Sequence, residues 1–450
     1  MSTLIQDLPS TQPAQREHKP LFHRPRRRKA IIIGGVALLL VLLMALAAFG
    51  SPLWQLLSTG VLVLAFVVVA LLAIGVLIIA AISKVVTRWR PNVAQWLRRA
   101  GRLAIIVGML VVALGGVAVG SQAHASTPPI LGANGQPLSG SVATLEQVTL
   151  DGSQQWITIR GKNAHNPVLL FLMGGPGAGG LPDQGFLAPL EDHFVVVNWD
   201  QPGTGKSYGA APHSQLTPQR YVDDAFALTQ LLRARFHQDK IYVLGSSWGS
   251  ILGIMLVQQH PDLFYAYVGH GQMVNTTEND IMGYQFALKY SADHGNTNTV
   301  NALKRNGPPP YTGDGMAMKY AAYMDILQEY MGQPSMMVGI ALMPQIAQEY
   351  GLVDRVNFVR GFLETFGVVY PQLRDLDFTR TANTLDVPVY LLAGRADVNA
   401  MSSLTERYYN VLRAPHKELI WFTSGHSMTD ADTAQFVDVM VHHVLQQTQH

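Results

Sequence analysis

The chain contains no cysteine among its 450 residues. This absence excludes disulfide bonds, thiolate metal ligands and a cysteine nucleophile. Charge is also scarce, because Asp, Glu, Lys and Arg together make up 14% of the residues, against about 25% in an average soluble protein. A chain of this length and composition is expected to have more than one part, at least one of them strongly apolar.

Acidic residues are nearly missing from the first 120 residues, which carry 13 Lys and Arg but only 2 Asp and Glu. The remaining residues carry 19 Lys and Arg and 28 Asp and Glu, so their net charge is −9. The basic character of the chain therefore belongs to its N-terminal part. The sequence predicts no nucleic-acid partner.

Three apolar runs without charge cover residues 30–50, 53–82 and 103–120. A helix needs about 20 apolar residues to cross a bilayer. The runs therefore predict an anchor of three transmembrane helices at residues 30–120, which would bind the chain to a lipid bilayer.

Lys and Arg precede the first run, at residues 24–29, and separate the second from the third, at residues 84–102, whereas the turn at 51–55 has none. Since cations favour the cytoplasmic side, we predict a multi-pass protein of the cell membrane. Residues 1–29 are expected to form a cytoplasmic basic tail, and the domain after the third helix is expected to be extracytoplasmic.

Residues 121–143 are rich in Gly, Pro, Ser and Ala and predict a flexible linker. The segment Ala123-His124-Ala125 has the small-x-small form of a signal-peptide cleavage site. Cleavage there, which would release the following domain, is an alternative to permanent anchoring.

Short apolar runs alternate with helical patterns in the rest of the chain, which predicts an α/β fold with a mostly parallel sheet and helices on both faces. A hairpin around Asp151-Gly152 precedes them. Residues 144–272 and 385–450 form the predicted core, and the helical segment 273–384 is predicted to be an inserted cap. The predicted parallel strands are 168–173, 194–199, 241–244, 265–268, 387–392 and 418–422.

Methionine is concentrated in the cap, where nine of the 17 methionines lie between Met273 and Met343. Methionine is flexible and polarisable. The cluster therefore indicates either the packed core of the cap or a pliable wall of a substrate site.

The segment Gly245-Ser246-Ser247-Trp248-Gly249 follows a predicted strand and opens a predicted helix. This is the context of the G-x-S-x-G elbow, which holds a nucleophilic serine at a tight turn. Larger side chains at the two glycines would clash with neighbouring backbone. Ser247 is the predicted nucleophile because it lies centrally between the glycines, and Ser246 is its rival.

A nucleophilic serine needs a base and an acid, which follow it in the order acid, then histidine, in hydrolases with this elbow. Asp397 lies just after the strand 387–392, whereas Asp386 precedes that strand and belongs to the wrong end of the sheet. His426 follows the strand 418–422 and precedes the last helix. The predicted catalytic triad is Ser247, Asp397 and His426, and His270, which also follows a strand, is the rival histidine.

Backbone N–H groups are the expected ligands of the oxyanion. One should come from Trp248 and the other from Gly174 or Gly175, in the loop after the strand 168–173. Thr204–Ser207 departs from a phosphate-binding loop because Asp200 stands where that motif needs glycine. We therefore expect no cofactor, and no metal, because no ligand cluster has metal spacing.

Three motifs in order resemble the proline iminopeptidase (prolyl aminopeptidase) group of α/β-hydrolases. They are Gly174-Gly175-Pro176-Gly177, the segment Trp199–Ser207 (WDQPGTGKS) and Gly245–Ser250 (GSSWGS). The resemblance covers roughly residues 145–272 and 385–430. It implies the α/β-hydrolase fold, the same triad and oxyanion residues, and release of N-terminal proline or small apolar residues from peptides.

Three features depart from that family. Met173 stands where the family has histidine, and the soluble enzymes have no three-helix anchor. The glutamates that bind the substrate's amino group have no residue-by-residue match, although Glu329, Glu349 and Glu364 are available in the cap. A carboxylesterase or amidase with the same triad, acting on a small molecule, and a non-catalytic binding module remain alternatives.

Overall fold

A computed structural model describes residues 38–47, 52–85 and 93–448, together with Gly35. The predicted cytoplasmic tail at residues 1–29 lies outside the described residues, as do residues 30–34, 36–37 and 48–50 of the first predicted membrane run. Within that first run, Leu38–Ala47 is helical (α1).

Two long helices follow, Pro52–Val85 (α2) and Val93–His124 (α3). Both are long and apolar enough to cross a membrane by length and composition. Only 6% and 17% of their most apolar stretches are buried by the rest of the protein. Most of their apolar side chains are therefore exposed, unlike those of a core helix in a soluble protein.

The third predicted run was placed too narrowly. It was expected at residues 103–120, but α3 begins at Val93 and continues to His124. Arg98, Arg99 and Arg102 therefore lie on the helix rather than in a connecting loop. The last turn is ordered by contacts that local sequence does not show, because Ser121 Oγ accepts a hydrogen bond from Leu352 N at 3.0 Å.

The predicted linker at 121–143 also differs from a free tether. Its first residues belong to α3, and Leu131 forms an isolated bridge with Pro137. Arg160 Nη1 donates to Thr127 Oγ1 at 2.9 Å. The segment is therefore held against the following domain at several points.

The remaining chain builds one eight-stranded sheet in the order β1-β2-β4-β3-β5-β6-β7-β8. The strands β1, β2 and β4 pair antiparallel, and the other neighbours pair parallel. The strands are Val142–Leu150 (β1), Ser153–Gly161 (β2), Val168–Leu172 (β3), Val195–Asp200 (β4), Ile241–Ser246 (β5), Phe264–His270 (β6), Val389–Gly394 (β7) and Lys417–Phe422 (β8).

The hairpin and the six parallel strands predicted from the sequence are confirmed. Asp151 and Gly152 both have positive φ, 42° and 76°, as a tight two-residue hairpin turn requires. Strand β3 shows why the parallel strands read as continuous apolar runs. Leu170 and Leu172 pack into one hydrophobic cluster and Leu169 and Phe171 into another on the opposite face, so both faces are covered.

Helices cover both faces of this sheet and fill the long connection between β6 and β7. The helices outside that connection are Gln184–Leu187 (α4), Pro218–Phe236 (α5), Trp248–Gln259 (α6), Ser402–Val411 (α13), Thr433–Asp438 (α14) and Gln446–Thr448 (α15), with a π-helical stretch at Val439–Leu445. Helix α5 illustrates a locally encoded start, since the Thr217 side chain accepts from Arg220 N at 3.1 Å and Pro218 occupies the first turn.

The helices between β6 and β7 are called the cap here. They are Thr276–Asp293 (α7), Thr297–Asn306 (α8), Met316–Tyr330 (α9), Met336–Ile346 (α10), Leu352–Val369 (α11) and Phe378–Thr381 (α12). The proline-containing segments at residues 308–310 and 332–334 connect α8 to α9 and α9 to α10. The cap covers the end of the sheet at which the parallel strands terminate.

Candidate active site

The elbow at the end of β5 has the backbone strain that the motif requires. Ser247 has φ 55° and ψ −119°, a conformation that non-glycine residues rarely adopt. A side chain at Gly245 would overlap the carbonyl of Gly249, and one at Gly249 would overlap the carbonyl of Leu172. The two glycines therefore allow β3, β5 and α6 to approach closely enough to hold Ser247 at the turn.

The acid and the histidine lie together beyond β7 and β8. His426 Nδ1 is 2.9 Å from Asp397 Oδ2. The other carboxylate oxygen, Asp397 Oδ1, accepts from the backbone N–H groups of Asn399 and Ala400, each at 2.9 Å. Asp397 is 3% exposed. Because both oxygens are engaged, the carboxylate is fixed in the orientation that points Oδ2 at the imidazole.

Burial and the carboxylate act on the pKa of His426 in opposite directions. Burial alone lowers it, whereas the charge and the hydrogen bond of Asp397 raise it, and the pKa lies above the ordinary value of 6.5. A histidine held in this way accepts a proton more readily, which is the property of a general base.

One cavity of about 370 Å³ joins these residues. Ser247, His426, Gly174, Gly175 and Trp248 all line it. No hydrogen bond joins Ser247 Oγ to His426 in the described part of the chain, and catalytic hydrogen bonds of this kind often tighten only when substrate binds. The structure thus brings the predicted serine and histidine to one cavity, with Asp397 behind the histidine.

The Gly174-Gly175 loop lies against the elbow. A Cβ built on Gly174 would be 3.2 Å from Ser247 Cβ and 3.8 Å from Ser247 Oγ. Gly175 has φ 131°, which favours glycine. Backbone therefore lies beside the serine without an intervening side chain, as an oxyanion site requires.

Gln201 connects the two halves of this oxyanion region and was not predicted. Its Nε2 donates to Met173 O at 3.2 Å, and its Oε1 accepts from Trp248 Nε1 at 2.9 Å. Gln201 lies within the segment Trp199–Ser207, one of the three motifs that resemble the proline iminopeptidase group.

The rival residues occupy the same region but differ from the triad. His270 is buried, and its Nδ1 is 3.1 Å from Ser246 Oγ. Burial and the neighbouring His426 lower the pKa of His270 to about 4. His270 is therefore neutral near pH 7 and has no carboxylate partner among its hydrogen bonds. Asp386 is exposed at the far end of β7.

The walls of the cavity are mainly apolar. Four cap or cap-adjacent methionines, Met273, Met324, Met336 and Met343, contribute to them. Four of the nine methionines between Met273 and Met343 therefore line the cavity, while Met316 is buried away from it. Asn279, Gln328 and Asn399 add neutral polar groups.

No acidic side chain lines the cavity among the residues that the structure describes. Glu364 instead bonds to Tyr208 and Arg360, Glu349 is buried, and Glu329 is exposed. The buried Asn399 Oδ1 has no hydrogen-bond partner in the described chain. It is thus an unsatisfied acceptor two residues from Asp397 of the candidate triad.

The sheet order, the strained serine turn and the inserted cap define the α/β-hydrolase fold. A family model for the alpha/beta hydrolase fold matches residues 167–297, which include the elbow and the Gly174-Gly175 loop. The chain therefore has the α/β-hydrolase fold.

Its relatives include peptidases. The chain is 29% identical over 315 residues to the "Probable aminopeptidase YbaC" of Bacillus subtilis, a match that spans 68% of this chain and 98% of the relative. It is 38% identical to the proline iminopeptidase of Neisseria gonorrhoeae, but over only 21% of this chain and 29% of that protein. Among solved structures, a Mycobacterium smegmatis proline iminopeptidase covers 68% of this chain at 18% identity, with a TM-score of 0.48.

Proposed function

We propose that the protein is a serine hydrolase in which Ser247 is the nucleophile, His426 the general base and Asp397 the triad acid. The observation that carries this proposal is the 2.9 Å pairing of His426 with Asp397 beside the strained Ser247 turn, in one cavity. The alternative of a non-catalytic binding module does not require an oriented acid and base behind a strained serine.

The proposed reaction is acyl transfer. His426 Nε2 removes the proton from Ser247 Oγ, which attacks the substrate carbonyl, while Asp397 holds the Nδ1 proton and stabilises the imidazolium. The N–H groups of Trp248 and of Gly174 or Gly175 bind the oxyanion, and each such donor contributes about 3 kcal/mol to transition-state stabilisation. His426 then protonates the leaving group, and water releases the acyl group from Ser247.

The substrate class that we propose first is a short peptide with N-terminal proline or a small apolar residue. The aminopeptidase relative that is matched over nearly its whole length supports this class. The apolar cavity accommodates such a side chain, and Asn279, Gln328 and Asn399 place neutral polar groups on its wall that could contact the substrate's amino group.

A carboxylesterase or amidase with the same triad is the second candidate. It is favoured by the absence of acidic side chains from the described cavity wall, because a free ammonium group that leaves water is stabilised best by a charged partner. An uncharged acyl group does not need such a partner.

We further propose that the N-terminal helices anchor the protein in the cell membrane with the catalytic domain outside. The described Lys and Arg residues of the two long helices lie at the helix ends that are farther from the cap. They are Lys84 near the C-terminus of α2 and Arg98, Arg99 and Arg102 near the N-terminus of α3. At the other end, Gln55 and Gln122 contact α11. Cations favour the cytoplasmic side, so this polarity supports an extracytoplasmic cap.

The test measures hydrolysis by the full-length protein in detergent, with a proline arylamide and a short-chain ester as substrates. We expect Ser247→Ala to abolish hydrolysis of both substrates, whereas Ser246→Ala should still hydrolyse them. Turnover of the arylamide by the wild type supports the aminopeptidase. If Asn399→Leu weakens binding of the arylamide but not of the ester, Asn399 is assigned as the contact of the amino group. Ester turnover without arylamide turnover favours the second candidate. Equal activity in Ser247→Ala contradicts the triad.

A further inference from the structure

Helix α10 lies between the active-site cavity and the outside of the protein, with one face toward each. Met336, Gly339, Ile340 and Met343 line the cavity on its inner face. The helix Met336–Ile346 contains no charged residue along its whole length. An uncharged helix at the surface of a catalytic domain needs an environment other than water on its outer side.

The outer face of α10 is apolar and exposed, and α11 extends it. Val338 and Leu342 on α10 are 47% and 56% exposed, and Val353 and Val356 on α11 are 44% and 58% exposed. The helices α10 and α11 pack against each other. These four side chains, Val338, Leu342, Val353 and Val356, are called the outer cap face.

The outer cap face continues directly into the N-terminal helices. Helix α10 packs against α2, and α11 packs against α3. Leu352 joins a hydrophobic cluster with Leu62 of α2 and Val117 of α3. Gln122 Nε2 donates to Asp354 Oδ1 at 2.9 Å. The cap is therefore fixed to the helices and is not separated from them by a mobile tether.

The distance along α3 sets the depth of this contact. Arg102 is the last cation of the helix. The hydrocarbon core of a bilayer is about 30 Å thick and is crossed by about 20 helical residues. Counted from Arg102, such a length of α3 ends near Gln122. The contacts of α11 with Val117, Ser121 and Gln122 thus lie at the outer edge of the hydrocarbon.

We infer that the outer cap face lies in the outer leaflet of the bilayer, and that α10 is a membrane-facing wall through which amphiphilic substrates with an apolar chain reach Ser247 from the lipid. This inference rests on the proposed anchoring and on the proposed triad, with the ester or amide of the second candidate function as the substrate class. Exposed apolar patches mark contacts with other proteins or with membranes, and here the continuity with the apolar helices α2 and α3 favours the bilayer as the partner.

The surface can be tested by lipid quenching, since the natural chain has no cysteine. Leu342→Cys in the full-length protein is labelled with a polarity-sensitive fluorophore and reconstituted into vesicles of phosphatidylcholine and phosphatidylglycerol. Some vesicles contain lipid with a nitroxide near the headgroup end of the acyl chain. Leu71→Cys in α2, which is 62% exposed, is the positive control, and Val411→Cys in α13, 44% exposed, is the negative control.

We expect the nitroxide to remove most of the emission at Leu342→Cys and Leu71→Cys, and none at Val411→Cys. Quenching at Leu71→Cys without quenching at Leu342→Cys overturns the inference and leaves the anchor intact. If neither position is quenched, the anchor and the inference both fail. None of these readouts depends on the hydrolase activity.

The substrate route can be tested with dodecanoate and acetate esters of p-nitrophenol in the same vesicles. We expect Leu342→Lys to lower kcat/KM for the dodecanoate about tenfold, which corresponds to about 1.4 kcal/mol, with little change for the soluble acetate. Val411→Lys should change neither. An equal effect of Leu342→Lys on both esters would refute entry from the lipid. Inactivity of the wild type on both esters would refute the proposed substrate route. The quenching experiment would still show whether the outer cap face contacts the lipid.

Discussion

The α/β core and the cap are ordered by different kinds of interaction. In the core, the site residues follow strand ends, and each lies within a few residues of the strand that positions it: Ser247 after β5, Asp397 after β7 and His426 after β8. In the cap, the decisive contacts join residues that are far apart in the chain. Lys206 pairs with Asp354, 148 residues away, and Asp200 accepts from Tyr350, 150 residues away.

The positions of the candidate triad residues are therefore set by sequence next to the strands, whereas the shape of the cavity depends on contacts between distant segments. Changes to the candidate triad and the elbow in the core should lower the catalytic rate or the stability of the protein. Changes to the long-range pairs of the cap should weaken its attachment to the core.

The largest effect is expected for Asp397→Asn. The change should lower kcat about 10⁴-fold, because the amide no longer holds the imidazole in the required tautomer. His426 must be neutral to act, so activity falls as pH drops through its pKa, which in the wild type lies above 6.5 because of Asp397. Without the carboxylate, burial remains and lowers the pKa. The acid limb of kcat/KM against pH should therefore move to lower pH.

The control for that variant is Asp386→Asn, which changes an exposed carboxylate at the opposite end of the same strand. It should leave rate and pH profile unchanged. A similar loss in both variants would argue that the strand, and not the triad acid, had been disturbed.

The next effect concerns the attachment of the cap. The side chains of Lys206 and Asp354 form a 2.8 Å ion pair and are only 5% and 6% exposed. Lys206→Met should destabilise the protein by about 3–5 kcal/mol, because Asp354 remains buried without its cation. Hydrogen exchange should rise first in α11.

An exposed ion pair in the cap offers the comparison. Lys289 and Asp293 are 77% and 58% exposed, so Lys289→Met should cost less than about 1 kcal/mol. If the two variants were equally stable, the buried pair would not hold the cap.

The smallest effects come from two glycines. Gly249→Ala should destabilise the protein by about 1–3 kcal/mol, because the new methyl group overlaps the Leu172 carbonyl. Gly367→Ala in α11 meets nothing within 4 Å and should stabilise the helix by about 0.5–1 kcal/mol. Thermal unfolding of the two variants measures both, and a loss of stability in Gly367→Ala would contradict the described packing of α11.

The sequence was sufficient to locate the six parallel strands, and it placed the candidate triad residues at strand ends that the structure brings together, because both depend on residues next to apolar runs. It was insufficient where a residue acts through a distant partner. Gln201 spans Met173 and Trp248, and Gln122 binds Asp354, and no periodicity marks such pairs. The end of α3 was misplaced for the same reason, since the contact of Ser121 with Leu352 extends a helix whose apolar run ends at residue 120.

The central claim is that Ser247 is the activated nucleophile. The most direct test treats the full-length protein in detergent with a fluorophosphonate and locates the adduct by peptide mass mapping. We predict one adduct on Ser247, which is retained in Ser246→Ala and lost in Ser247→Ala. An adduct on another serine, or none in a protein shown to be folded, would contradict the account.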